Sequence, residues 1–324
     1  MQRNWIVIVV VYVCVAHPAW SSSYYLPENG DNVVGNVQYM FAKGNETLLD
    51  IARRYNIGYN EIVAANPGIN PWLPNSDNRI KIPSQFILPP KPWRGLVINL
   101  PEMRLYYFPP ATLFNDRRVI TMPLSIGKIN WSTPAGNFYV KEKIKHPSWT
   151  VPKSIVIENG LERYGERRII PPLDDANPLG EYAILLNETG YLIHGTNKPF
   201  SIGRRVSHGC LRLYPEDISI LFGYVERKMP VRIINQPYKV GERKDIIYVE
   251  THKMLEEDVN REGVNTTPIV RDIIRRIPGL VVPDIVWQQL DDIVSEASGL
   301  PIPLLKLPRS HTANQNKSVN FSRN

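Results

Sequence analysis

The stretch 191-YLIHGTNKPFSIGRRVSHGCLRLYPEDI-218 opens on an apolar run ending in His194 and passes through Ser207-His208-Gly209-Cys210. Its thiol decides how the chain is read. A nucleophilic cysteine must lose its proton, and a histidine within hydrogen-bond reach can take that proton and later return it to a leaving amine. His194 lies sixteen positions before Cys210, enough chain to loop out and bring both ends together. Gly209 lets the backbone pass close to a reacting carbonyl, so the amides of His208, Gly209 and Cys210 can face a developing oxyanion. Arg212 either lowers the pKa of the sulfur or holds a substrate carboxylate bidentately. Spacing alone leaves open whether His194 or His208 is the base. No paired ligand spacing accompanies these residues, so no metal is expected. Acyl transfer through Cys210 outranks a merely buried cysteine.

The only other cysteine, Cys14, sits in 1-MQRNWIVIVVVYVCVAHPAWSSS-23. Arg3, an apolar run from Trp5 to Ala16 and the exit Ala16-His17-Pro18-Ala19 have the layout of a secretory leader, here assigned to residues 1–23. A run of about a dozen residues is too short for a bilayer, which needs roughly 20. Export with cleavage is expected, leaving Cys210 without an internal partner and therefore a reactive or intermolecular thiol. Such a thiol is prone to oxidation, which makes a thiol reductase of the export compartment an expected partner. No cofactor is called for.

Apolar content of 43% against 21% charge describes a globular chain, and 29 prolines with 20 glycines favour loop-rich β structure over long helices. The net charge of +7 is spread out, without the Lys/Arg runs that track nucleic acid. From residue 94 to 236, short β-branched or aromatic runs bounded by Pro, Gly and Asn recur: 95-GLVINL-100, 103-MRLYYF-108, 118-RVITMPLSIG-127, 137-NFYVKEKI-144, 182-YAILLN-187, 191-YLIHG-195 and 231-VRIIN-235. These predict a mostly β domain, sandwich-like or barrel-like, with one helix over 215-PEDISILFGYVER-227. A proline-rich hinge, 86-FILPPKPW-93, precedes it. Before the hinge, residues 36–84 read as strand, helix, helix, strand, with Thr47 as N-cap and Asn66-Pro67-Gly68 ending the second helix. After the domain, 268-PIVRDIIRRI-277 and 284-DIVWQQLDDIVSEAS-298 predict a short helical appendix over 251–300, and the polar tail 309–324 is expected to be disordered.

Two resemblances follow from these motifs. The βααβ unit, through Gly44, Thr47, Leu48, Ile51, Ala52, Tyr55, Ile62, Asn66 and Ile80-Ile82-Pro83, resembles the LysM domain, which binds glycans containing N-acetylglucosamine. That implies sugar contacts from the loops around Gly44, Thr47, Asn66 and Pro67. Residues 94–236, through His194-Gly195, Ser207-His208-Gly209-Cys210, 124-LSIGK-128, 133-TPAG-136, 147-PSW-149 and 177-NPLG-180, resemble the L,D-transpeptidase (YkuD-like) catalytic domain of bacterial cell-wall enzymes. The whole layout is similar to the periplasmic ErfK/YbiS group.

The second resemblance implies a YkuD-like β sandwich with Cys210 as nucleophile, His194 as proton acceptor and donor, and Gly195 orienting the imidazole through its carbonyl. His208 then shapes the oxyanion pocket or braces it, and Trp149, Tyr191, Asn197 and Ser207 face the substrate. Much of the wider family has asparagine where this chain has Arg212. The implied reaction works on peptidoglycan tetrapeptide stems, releases D-alanine through a thioester and hands the diaminopimelate acyl group to an amine. The favoured amine is the C-terminal lysine of a Braun-type lipoprotein; the alternatives are 3→3 cross-linking and a non-catalytic wall-binding protein.

Overall fold

The computed structural model describes residues 22–308 except 28–29, 114–116, 160–168, 189 and 280. The tail 309–324 and the leader, save Ser22 and Ser23, lie outside the described residues. Those two serines belong to β1 (Ser22–Tyr25), which pairs with β8 (Arg118–Gly127).

After β2 (Val33–Gly35) comes the expected βααβ unit: β3 (Gln38–Phe41), α1 (Leu48–Arg54), α2 (Tyr59–Ala65) and β4 (Arg79–Ile82), with β3 and β4 antiparallel. Thr47 caps α1 in a reciprocal capping box: the Asp50 amide donates to the Thr47 hydroxyl at 3.2 Å and the Thr47 amide to the Asp50 carboxylate at 2.9 Å. Leu48, Ile51, Ile62, Ile80 and Ile82 are fully buried, each contributing about 1.5–3 kcal/mol. They do not form a separate core. The same cluster includes Val97, Tyr106, Phe108 and Val119 of the large domain. The proline-rich segment is likewise no free hinge. Its first residues form β5 (Gln85–Ile87), paired with β2; Phe86, Ile87 and Leu88 are buried, and Arg232 donates to the carbonyls of Pro90 and Lys91.

The large domain runs through β6 (Gly95–Asn99), β7 (Arg104–Phe108), β8 (Arg118–Gly127), β9 (Gly136–Lys145), β10 (Trp149–Thr150), α3 (Lys153–Asn159), β11 (Ile169–Ile170), β12 (Tyr182–Leu186), β13 (Leu192–His194), β14 (Arg205–Ser207), β15 (Leu211–Leu213), α4 (Pro215–Tyr224) and β16 (Pro230–Ile234). The long strands β8 and β9 each serve two sheets. The first half of β8 pairs with β7 and β1 and its second half with β15 and β14, while β9 passes from β16 to β12. The order β8-β15-β13-β12-β9-β16-β6-β7 returns to β8, which closes the mostly β fold into a barrel-like sandwich. Its interior holds Leu96, Ile98, Leu105, Met122, Ile184, Ile193 and Leu211, capped by Ile218 and Leu221 of α4. Strands β6 and β7 are buried at every position because the βααβ unit covers their outer face.

Ion pairs lie in that buried junction. Arg104 binds Glu61 bidentately at 2.8 and 2.9 Å and donates to Thr121 at 3.1 Å. Burial works to lower the Arg104 pKa, but the charge and hydrogen bonds of Glu61 outweigh it and raise the value. Nearby, Asn56 adopts φ +55° just after α1, a left-handed conformation that asparagine tolerates, and its amide donates to Asp217 at 2.8 Å. Asn56 Oδ1 and Asp217 Oδ2 are both buried without a hydrogen-bond partner. Burial, with Glu216 adding to it against the Asn56 bond and Arg104, pushes Asp217 from its ordinary 3.8 up to about 7. The folded state therefore binds the proton more tightly than the unfolded state, and stability falls as pH rises from about 4 to about 7, by up to about 4 kcal/mol from this group. Asp217→Asn removes the titration and offers Asn56 Oδ1 a donor. Urea midpoints at pH 5 and 8 should drop for the wild type and change less for the variant; an equal drop contradicts the assignment.

The two expected C-terminal helices form, and they pack on an unexpected sheet. Helices α5 (Glu256–Glu262), α6 (Thr267–Arg276) and α7 (Asp284–Glu296) are joined by an antiparallel sheet of β17 (Tyr238–Arg243), β18 (Ile246–Thr251) and β19 (Ile302–Lys306). Ile269, Ile273, Val286, Leu290 and Ile293 pack on that sheet. Lys239, fully buried, bridges Glu102 of the large domain at 2.9 Å and Glu250 at 2.6 Å, and Glu250 also meets His252 at 2.7 Å. Among the described residues Glu102, Glu250 and His252 are the one group with metal-ligand chemistry, and the Lys239 ammonium bridges its two carboxylates.

Candidate active site

His194 ends β13 and Cys210 immediately precedes β15, and these two strands run parallel with Ile193 opposite Leu211 and His194 opposite Arg212. Side chains alternate across a strand, so Ile193 and Leu211 enter the core while His194, Cys210 and Arg212 share the other face. The electrostatics agree, since the Arg212 charge acts on both the imidazole and the thiol. The loop between them, with Gly203 against Gly58, packs on the βααβ unit.

The imidazole is buried, and its Nδ1 lies 2.7 Å from the Gly195 carbonyl. An Nδ1–H donated to that carbonyl leaves Nε2 as the basic nitrogen. Burial, then the Arg212 charge, lowers His194 to about 3, against the opposing hydrogen bonds to Gly195 and Leu179. The ring is neutral at pH 7. Burial also raises the Cys210 pKa, outweighing the bond to the Leu192 backbone and the charge of Arg212, and Sγ donates to the Gly190 carbonyl at 3.5 Å. The resting pair is thus thiol and neutral imidazole, and the cation at 212 does not hold a thiolate as the sequence suggested. Arg212 has its Nε buried with no hydrogen-bond partner among the described residues.

A cleft of about 690 Å³ opens beside this face, lined by Trp149, Asn197, Lys198, Asp174, His208 and Arg212. Asn197 donates to the Asp175 carbonyl at 2.7 Å, and Tyr191 packs over Gly209, whose φ of +97° and tight space, 3.0 Å from the Tyr191 ring to an added Cβ, admit only glycine. Ser207 is placed differently from expectation: it is 1% exposed and donates its hydroxyl to the Cys210 carbonyl at 2.5 Å, bracing the loop from within. His208 contacts Glu158 of α3 at 2.5 Å and the Trp131 ring at a centroid distance of 5.1 Å. Lys128 holds the other Glu158 oxygen at 2.7 Å. The Lys128 and His208 hydrogen bonds hold the Glu158 carboxyl below its usual range.

Glu158, Trp131 and Thr133 are positioning residues without a sequence-based role. Thr133 donates to the Gly209 carbonyl at 2.9 Å and accepts from the Gly127 amide at 3.1 Å, which explains the 133-TPAG-136 motif. In 177-NPLG-180, Asn177 is buried and donates to the carbonyls of Pro147 and Pro171, while Gly180 lies so close to Gly195 and Thr196 that a Cβ would meet the Thr196 amide at 3.0 Å. Both motifs hold the loops that flank the thiol and imidazole.

On the βααβ unit, Asn66 is buried, donating to the carbonyls of Ile62 and Lys81 and accepting from the Lys81 amide, so its side chain braces the unit. The Thr47 hydroxyl is engaged by Asp50 at 2.6 Å. Gly44 and Pro67 are exposed, and the Leu48 amide donates to the Pro71 carbonyl at 2.9 Å, joining the two loops beside exposed Trp72 and Leu73.

The model of the L,D-transpeptidase catalytic domain family matches residues 94–233. Along most of its length the chain is 37% identical to the "Probable L,D-transpeptidase YcfS" of Escherichia coli K12, over 76% of this chain and 78% of that one. The chain belongs to the L,D-transpeptidases. The "Probable L,D-transpeptidase YbiS" of the same strain is 35% identical over 87% of this chain and 92% of its own. The "Probable L,D-transpeptidase ErfK/SrfK" of Salmonella typhimurium is 33% identical over 89% and 93%. The enzyme's likeness to these relatives thus extends well beyond the L,D-transpeptidase domain, into the units that flank it.

Proposed function

We propose that the enzyme transfers the acyl group of a peptidoglycan tetrapeptide stem through a thioester on Cys210. The observation that carries this reading is the parallel register of β13 and β15, which sets His194 and Cys210 on one face, within a chain of the L,D-transpeptidase family. As the sulfur attacks the carbonyl joining diaminopimelate to terminal D-alanine, His194 Nε2 takes the thiol proton. The C–N bond then breaks, the imidazolium returns the proton to the departing amine, and D-alanine leaves. Backbone amides of His208, Gly209 and Cys210 stabilise the oxyanion. An incoming amine attacks the thioester, the C–S bond breaks, and the proton released by the amine restores the thiol. Arg212, with its unpartnered buried Nε, holds a carboxylate of the stem, and Trp149, Tyr191 and Asn197 line its path.

The acceptor is the C-terminal lysine of a Braun-type lipoprotein in the periplasm, and the βααβ unit acts as a LysM-like glycan contact through the loops at Gly44 and Pro67. A lone exported thiol also calls for a thiol reductase partner. Expression in a bacterium stripped of such enzymes, followed by mass analysis of its muropeptides, tests the reading. Lipoprotein remnants on the stems are expected; diaminopimelate dimers alone would make the enzyme a 3→3 cross-linker, and an unchanged wall would leave it a non-catalytic binder.

A further inference from the structure

A second cavity, of about 540 Å³, opens where β6 and β16 begin, β7 ends and β8 begins. Its described lining carries Arg94, Arg117, Arg118, Arg227 and Lys228 against one carboxylate, Glu226. Its apolar lining includes Leu26, Pro109, Pro110 and Met229, beside Trp93, which stacks flat on buried Phe108 with centroids 5.9 Å apart and planes at 5°. Lys228 is held at φ +68°, a left-handed conformation uncommon for a residue other than glycine. Arg118 opens β8 while Gly127 closes it at the catalytic end, a separation of roughly 30 Å at 3.2–3.4 Å per residue. A ligand here is not the reacting stem.

We propose that this cavity is a second polymer site, binding the carboxylates of a stem peptide on a neighbouring glycan strand. The inference rests on the proposed function for the identity of the polymer. Crowded like charges repel in the free protein, and a ligand with several carboxylates relieves that repulsion. The site is concave, so a flat membrane surface would reach only its rim.

The test compares the full chain with its Arg94→Glu/Arg227→Glu variant, both exposed positions, in co-sedimentation with purified sacculi, each also carrying Cys210→Ala to prevent turnover. The double variant should bind about 10-fold more weakly at low salt, the difference closing near 1 M where screening shortens to about 3 Å. An Arg94→Gln/Arg227→Gln variant should fall between. With Cys210 restored, turnover of a soluble disaccharide-tetrapeptide should stay unchanged. Sacculus binding equal to the parent's overturns the inference, as does loss confined to phosphatidylglycerol vesicles. Turnover of the soluble donor by the wild type reports on the proposed function separately, and sedimentation decides the second site whatever that turnover shows.

Discussion

Cys210→Ala should abolish acyl transfer, with D-alanine release falling by at least about 1,000-fold and no carbapenem mass added to the protein. Cys210 is the only cysteine among the described residues, so no second thiol among them stands in. The side chain is small and partly exposed, and circular dichroism of the variant should match the wild type. The wild-type pH profile carries a sharper expectation. An ordinary histidine would impose an acidic limb near 6.5. Here burial and Arg212 lower His194 to about 3 and burial raises Cys210, so the neutral pair persists and kcat/KM should stay flat from about pH 4 to 9. Retained D-alanine release by Cys210→Ala, or an acidic limb near 6.5, would remove the basis of the proposed mechanism.

Arg104→Met should be the most destabilising single change at the junction between the βααβ unit and the barrel. It strands the Glu61 carboxylate, which is 8% exposed and whose two oxygens are held by that guanidinium, and it removes the donors to Thr121 and Asn56. Breaking one side of such a pair costs about 3–5 kcal/mol, whereas replacing both sides by apolar groups is often close to neutral. Urea titration should therefore show a large loss for Arg104→Met and recovery of most of it in Glu61→Leu/Arg104→Met. A single variant within about 1 kcal/mol of wild type would mean that water reaches Glu61.

The strands of the large domain were legible because β-branched and aromatic runs end at proline, glycine and asparagine. What the runs do not carry is the second covering of β6 and β7: Val97, Tyr106 and Phe108 look like the outer residues of a sheet until α1 and α2 are laid on them. Strands β17 and β18 escaped notice because Lys239 and Glu250 sit in them as buried ions, a pattern that local hydrophobicity reads as loop. In the site, the spacing of His194, His208 and Cys210 left the base open, and the family resemblance pointed to His194, which the parallel register of β13 and β15 puts on the face of Cys210. The partners of His208 were not readable: Glu158 and Trp131 come from distant elements, and nothing in a charge or an aromatic ring announces which imidazole it will meet. Ser207 and Asn66 show the opposite failure, polar residues in conspicuous places whose atoms are consumed by their own backbone.

Because the βααβ unit and the barrel close over one interior, neither can be exchanged between proteins as an independent cassette. Its loops stand at a set height and angle from the thiol, without the slack of a string, so whatever the unit grips is presented to Cys210 at one fixed interval. Under the proposed glycan contact, such a body would act as a caliper on a repeating polymer, selecting by spacing along the strand.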